Sequence, residues 1–170
     1  MPRRTRGLVC GAVLAAAALT TAVAAAGAPP TKEPQPPVHA TFPAGMVCSF
    51  PVSVDTVVNR VVSTTHVDAE GNILWIHGSG ANVVRVTNAL TGRSVDVNAS
   101  GPGKITFDAD GTIRITGSGT WLAIFFPTDS PSNQMLVLTG SLNLTVDPAT
   151  GTLTLVSHTG TSRDLCAELA

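Results

Sequence analysis

The chain has 170 residues, with 10 lysines and arginines against 11 aspartates and glutamates. This balance leaves no basic surface for nucleic acid or anionic lipid, so those two classes of partner are excluded. The length suits one domain with a modest core and has no room for a second.

The first 26 residues have the pattern of a secretory signal peptide. Three arginines among the first six residues precede an apolar run from residue 8 to residue 26, and Ala24 and Ala26 are the small residues that a signal peptidase needs. We therefore predict cleavage after Ala26 and a secreted, extracellular protein.

Several alternatives concern the same segment. A run of about 20 apolar residues can span a bilayer, but this one is rich in alanine and threonine and lacks a positively charged stop. Cleavage after Ala28 would leave Pro29 first. Twin-arginine export has a poor sequence context here, and Cys10 lies inside the apolar run, which disfavours a lipoprotein.

Residues 27–46 are rich in proline and offer little apolar surface to bury. Such a composition is typical of an extended spacer. We predict a linker over residues 27–46, followed by a β domain over residues 47–170.

Two cysteines remain after signal cleavage, Cys48 and Cys166. An even pair in an oxidising compartment predicts a disulfide, which would stabilise the fold by roughly 4 to 5 kcal/mol through the long loop it closes. Two free thiols are the alternative, but the spacing of a metal or redox site is missing.

Period-two alternation of valine, isoleucine, leucine and threonine predicts an all-β fold from Cys48 onward. Glycines near the middle of each segment indicate bends. We predict about six long antiparallel strands that are bent at these glycines and joined as a meander, over 50–67, 72–88, 92–107, 111–126, 134–147 and 151–160. The alternative splits each one at its glycine into a hairpin, which gives about ten strands.

Four of the five turns between these segments begin with Asp or Asn and close with Gly, as hairpin loops do. Bends at matched heights would let the sheet roll into a barrel or a barrel-like sheet, with a β-sandwich as the alternative. A short capped helical turn is expected over residues 161–169, carrying Cys166 back toward Cys48.

The aromatic residues are the candidates for ligand binding. Trp75, Trp121 and Phe125 are expected to fill the interior, or else to line a cavity for an apolar ligand. The run over residues 121–126 is apolar on both strand faces, which predicts burial there or contact with a partner.

No convergent acid, base or nucleophile stands out. A hydrolase or isomerase site would have to combine Asp55 or Asp96 with Arg60 or His66. Neither the histidines nor the Asp108-Ala109-Asp110-Gly111 turn has the spacing of a metal site, so we predict no metal, no cofactor and no catalytic residue.

Besides the signal and the proline-rich segment, the chain contains the three segments Cys48-Ser-Phe-Pro-Val-Ser-Val-Asp55, Ser100-Gly-Pro-Gly103 and Asp164-Leu-Cys166. In this combination the chain resembles a group of small exported proteins from actinobacteria. The resemblance implies secretion and a β fold, and supplies no catalytic residues. We expect a non-enzymatic domain that binds a small apolar ligand, a protein or the cell envelope; the alternative is a secreted hydrolase or isomerase with a site in the barrel mouth.

Overall fold

The computed structural model describes residues 29–170. This part of the chain is all-β, with antiparallel sheets and one short C-terminal helix, as predicted. The predicted signal peptide and its alternatives lie outside the described residues. The strands are β1 (Thr31–Pro34), β2 (His39–Phe42), β3 (Val52–Asn59), β4 (Val62–Val67), β5 (Ile73–Ser79), β6 (Asn82–Asn88), β7 (Ser94–Asn98), β8 (Gly103–Phe107), β9 (Ile113–Gly117), β10 (Thr120–Phe125), β11 (Gln134–Thr139), β12 (Leu142–Val146), β13 (Leu153–His158) and β14 (Thr161–Asp164), followed by helix α1 (Leu165–Leu169).

The strands form three sheets. A seven-stranded sheet has the order β1-β4-β5-β8-β9-β12-β13, a four-stranded sheet the order β2-β3-β6-β7, and a three-stranded sheet the order β10-β11-β14. Every pairing between these strands is antiparallel, and the first five predicted segments each contribute one strand to the seven-stranded sheet and one to a smaller sheet, while the sixth contributes β13 to the seven-stranded sheet. The connectivity is therefore the predicted meander.

The predicted long strands are interrupted rather than continuous. Five of the breaks fall at or beside a glycine, for example Gly80 between β5 and β6 and Gly140 between β11 and β12. The prediction of single bent strands is therefore wrong. The alternative is right that the segments are split, but the two halves pair with neighbouring segments instead of forming a hairpin with each other.

The glycines at the breaks bring neighbouring segments into close contact. Gly140 and Gly160 have φ angles of 112° and 105°, which residues with side chains rarely adopt. A Cβ atom at either position would collide with a backbone carbonyl, that of Thr159 or that of Thr139. The two breaks therefore face each other, which confirms that the bends lie at matched heights.

The predicted turns follow the Asx-Gly pattern. The Asp68 side chain accepts hydrogen bonds from the amides of Glu70 and Asn72 at 3.0 and 2.8 Å, and Gly71 closes the turn with a φ of 90°. Asp147 and Gly151 repeat this arrangement between β12 and β13. Local hydrogen bonds thus stabilise these two hairpin turns.

Part of the predicted linker is paired. Residues 31–34 and 39–42 are extended, as expected, but they form edge strands β1 and β2 against β4 and β3. A proline-rich chain is already extended, and an edge strand tolerates prolines because their missing N–H groups can face outward.

The central strand of the three-stranded sheet, β11, is buried on both faces, whereas β14 is exposed. On β11, Met135 and Val137 belong to a cluster with the four-stranded sheet and with Leu165 and Leu169 of the helix, whereas Leu136 and Leu138 pack with β12 and β13. The burial predicted for the run at residues 121–126 is confirmed in part, because Phe125 is fully buried whereas Phe126 is exposed.

Cys48 and Cys166 form the predicted disulfide, with their Cα atoms 5.3 Å apart. Asp164 caps α1 by accepting hydrogen bonds from the amides of Cys166 and Ala167 at 2.9 and 3.3 Å. The helical turn is therefore confirmed over residues 165–169, while residues 161–164 form β14 instead.

The sheets are open over residues 29–170, since the seven-stranded one ends at β1 and β13. Closure into a barrel stays a prediction. Among the described residues, no helix has the length and apolar character needed to cross a membrane.

Candidate ligand-binding cavity

A cavity of about 380 Å³ lies between the seven-stranded sheet and the two smaller sheets. Most of the residues that line the cavity are aliphatic or glycine. The cavity also touches the breaks at which the segments pass from one sheet to the next. The lining comprises Val38, Val54, Val61, Ser63, Ile76, Gly78, Ser79, Gly80, Asn82, Val84, Ala99, Gly101, Gly103, Ile105, Ile115, Trp121, Leu122 and Ile124.

One wall of the cavity is a row of isoleucines in register. Ile76 on β5 faces Ile105 on β8, which in turn faces Ile115 on β9. The facing sheet contributes Val54 and Val84, both nearly fully buried. Because side chains of alternate residues share one face, these strands present aliphatic groups inward and polar groups outward.

A second row in the seven-stranded sheet consists of small residues. Ser63, Gly78, Gly103 and Gly117 lie side by side on β4, β5, β8 and β9. The Trp121 indole occupies the space that side chains would take at two of these glycines: a Cβ at Gly117 would lie 2.6 Å from Cε2, and one at Gly103 would collide with Cζ2 and Cη2.

Gly78 differs from the other glycines of this row. A Cβ placed there meets nothing within 4 Å, because the indole reaches only as far as Gly103. Trp121 is held in place at its other end, where Nε1 donates a 3.1 Å hydrogen bond to the carbonyl of Ser118. The cavity therefore continues over Gly78, beside the benzo edge of a fixed tryptophan.

The mouth of the cavity is marked by its exposed lining residues. Val38, Ser79 and Gly80 are exposed, whereas the isoleucine wall is more buried. The polar side chains on the cavity face are those of Ser63, which is paired with Gly78, and Asn82, a hydroxyl and an amide that can each donate and accept hydrogen bonds. Within residues 29–170, no charged side chain lines the cavity.

Of the three aromatic candidates, only Trp121 lines the cavity. Phe125 is fully buried in the cluster between β10, β11 and β12. Trp75 stands on the opposite face of the seven-stranded sheet, where the His66 ring stacks at 3.5 Å and the Lys104 ammonium lies 4.7 Å from the indole centroid. Trp75 therefore contacts polar side chains of the outer face and does not line the cavity.

The carboxylates considered for catalysis lie on the exposed face of the four-stranded sheet. His39, Asp55, Arg85 and Asp96 follow one another across β2, β3, β6 and β7. Arg85 binds Asp96 with two hydrogen bonds of 2.7 and 2.9 Å, which lower the pKa of Asp96 and raise that of Arg85. Ion pairs of this kind between neighbouring strands stabilise the exposed face of the sheet.

The structure does not assemble the hydrolase or isomerase residues. Asp55 and Asp96 are on the exposed face of one sheet and His66 is on the outer face of another, while Arg60 lies at the kink after β3. In the part of the chain that the structure describes, no group of three His, Cys, Asp or Glu side chains could hold a metal ion.

The cavity depends on residues that the sequence did not single out as binding residues. The sequence indicates only bends at Gly78, Gly103 and Gly117, yet these residues form the floor. Gly103 begins β8 and Gly117 ends β9, directly beside the breaks, and Gly78 lies two residues before the break at Gly80. Gly103 lies five residues before Asp108 and Gly117 six residues after Gly111, and these nearly equal distances from one hairpin turn were the available signal that the two glycines lie side by side.

No protein-family model, curated protein or solved structure matches the chain.

Proposed function

We propose that this domain binds a small, neutral, largely apolar molecule in the cavity between its sheets. The observation that carries the proposal is the cavity of about 380 Å³ with an aliphatic wall. Ligand pockets usually measure about 300–1,000 Å³, whereas voids inside close-packed protein interiors rarely exceed one water molecule.

The chemistry of the lining selects the class of ligand. Isoleucine and valine side chains favour apolar surface, and a charged group would lose its hydration without gaining a partner. Ser63 and Asn82 offer hydrogen bonds on the cavity face, so one polar substituent on the ligand is compatible with the site.

The proposal also covers the arrangement of the three sheets and the location of the protein outside the cell. We propose that the three sheets act as one rolled, sandwich-like container, with Trp121 and the buried clusters filling one side of it. We also propose that the protein is exported after cleavage near Ala26, because the disulfide is typical of an oxidising environment and the N-terminal sequence has the signal pattern.

The test uses N-phenyl-1-naphthylamine, a neutral apolar dye whose fluorescence rises in an apolar site, and the full chain with its disulfide formed. We expect saturable enhancement with the wild type. Ala99→Phe should abolish it, because Ala99 lines the cavity and a phenyl group would fill part of it. Ser94→Phe is the matched control, because the exposed Ser94 lies on neighbouring β7 outside the lining.

Circular dichroism should show the same β spectrum for all three proteins. The proposal fails if the wild type gives no saturable enhancement, or if folded Ala99→Phe binds the dye as well as the wild type does.

A further inference from the structure

The glycine row gives the cavity a floor without side chains. Three glycines on adjacent strands, Gly78, Gly103 and Gly117, lie in register next to Ser63. Branched residues at these positions would project into the space between the sheets. Ile76, Ile105 and Ile115, two residues away along the same strands, do so. Here the backbone itself forms the surface, so a flat group can lie close against it.

Trp121 shows what this floor accommodates. Its indole ring takes the place of the missing side chains at Gly103 and Gly117, and its atoms Cζ2 and Cη2 point along the row toward β5. The ring therefore covers two of the three glycines. Only Gly78 remains uncovered, with nothing within 4 Å of its would-be side chain.

The spacing along the row fits a second ring. Adjacent strands are about 4.8 Å apart, so a ring over Gly78 would be centred about 7 Å from an indole that bridges Gly103 and Gly117. Aromatic pairs interact favourably at centroid separations of about 4.5–7 Å in offset or edge arrangements. A flexible hydrocarbon chain gains nothing comparable, since it packs equally well against branched side chains.

We propose that the ligand of this cavity carries a flat ring system, which lies over Gly78 beside the benzo edge of Trp121 and directs one neutral polar substituent toward Ser63 and Asn82. This inference rests on the proposed function. The floor favours ring compounds such as phenols, quinones or fused-ring alcohols over acyl chains, and the uncharged lining favours neutral ones.

The experiment compares 2-naphthol with 1-decanol by isothermal titration calorimetry. Both are neutral alcohols with ten carbons, and they differ in whether the carbon skeleton is flat or flexible. The proteins are the full-length wild type, Gly78→Val, which covers the open end of the floor, and His77→Val, which places the same side chain on the opposite face of β5.

We expect 2-naphthol to bind the wild type and His77→Val alike and to bind Gly78→Val about tenfold more weakly, from the apolar contact it loses. For 1-decanol the loss should be less than threefold. If Gly78→Val does not fold, Gly78→Ala should still weaken 2-naphthol binding more than 1-decanol binding.

Two other outcomes would overturn the inference in different ways. If 1-decanol binds the wild type as tightly as 2-naphthol does, or if Gly78→Val weakens both equally, the preference for a flat ring is refuted while the cavity remains a binding site. If neither alcohol nor N-phenyl-1-naphthylamine binds the wild type, the proposed function fails and the ring preference with it.

Discussion

Alanine substitutions at neighbouring glycines of the cavity floor should have opposite effects on stability. At Gly103, the new methyl group would collide with Cζ2 and Cη2 of Trp121, and its nearest backbone atom, the Thr116 carbonyl oxygen, is 3.4 Å away. The clash is therefore with the indole. At Gly78 the same methyl group meets nothing within 4 Å.

The magnitudes follow from overpacking and from the entropy of the unfolded chain. Overpacking costs about 1–3 kcal/mol, and replacing glycine by alanine returns about 0.4–1 kcal/mol where the backbone is unstrained. We therefore expect Gly103→Ala to lower the free energy of unfolding by about 1–2 kcal/mol. Gly78→Ala should change it by between zero and about +1 kcal/mol.

The Trp121→Ala variant tests whether the clash with the indole causes the loss of stability in Gly103→Ala. Alone it should cost about 3–5 kcal/mol, because it removes a large side chain from the interior. In that background Gly103→Ala should no longer be destabilising, which gives a coupling energy of about 1–3 kcal/mol. Urea unfolding of the oxidised protein, followed by far-UV circular dichroism, measures all of these values. An equal loss at both glycines, or a Gly103→Ala penalty that persists without Trp121, would refute the account of the floor.

Three further predictions concern other parts of the fold. Cys48→Ser together with Cys166→Ser should lower the free energy of unfolding by about 5 kcal/mol in the chain-entropy model, because the disulfide spans 118 residues; urea unfolding would show no shift if the bond did not form. Asp129→Ala should cost about 3 kcal/mol, since this buried carboxylate accepts hydrogen bonds from the amides of Phe126 and Leu153 at 2.6 and 2.8 Å; a thermal melt unchanged from the wild type would contradict it. Because the folded-state pKa of Asp96 is lowered, its stabilisation is present above its unfolded pKa and is lost as the pH falls through the folded value; the acid limb of a stability profile should therefore become shallower in Asp96→Asn, and an unchanged limb would count against the Arg85 pairing.

The elements of the fold were predictable because their signals are local. Alternating residues, Asx-Gly turns such as Asp147 to Gly151, and mid-segment glycines each act over a few residues, and the structure confirms them. The partition into three sheets was not predictable in this way. Periodicity reports which face a side chain occupies, but not whether the hydrogen-bonded ladder continues through a glycine such as Gly140.

The candidate site was predictable only in part. Trp75 and Trp121 both lie in runs of consecutive apolar residues, 73–76 and 121–126, so the pattern along the chain cannot tell which of them faces inward. Their positions are decided by cross-strand neighbours: Trp75 lies beside His66 and Lys104 on the outer face, whereas Trp121 lies on the glycine row. Such neighbours depend on register, which long-range pairing sets.

The uncovered glycine at position 78 is the feature that packing alone explains least. Glycine inside a strand is less stable than alanine by roughly 0.5–1 kcal/mol, and here no neighbouring atom forbids a side chain. At Gly103 and Gly117 the indole of Trp121 leaves no room for a side chain, so those glycines are explained by packing. At Gly78 the same small residue keeps open a space that nothing in the described chain fills. A residue that lowers stability without improving packing is expected where a site is kept for a ligand, and this makes Gly78 the position at which binding and stability should oppose each other.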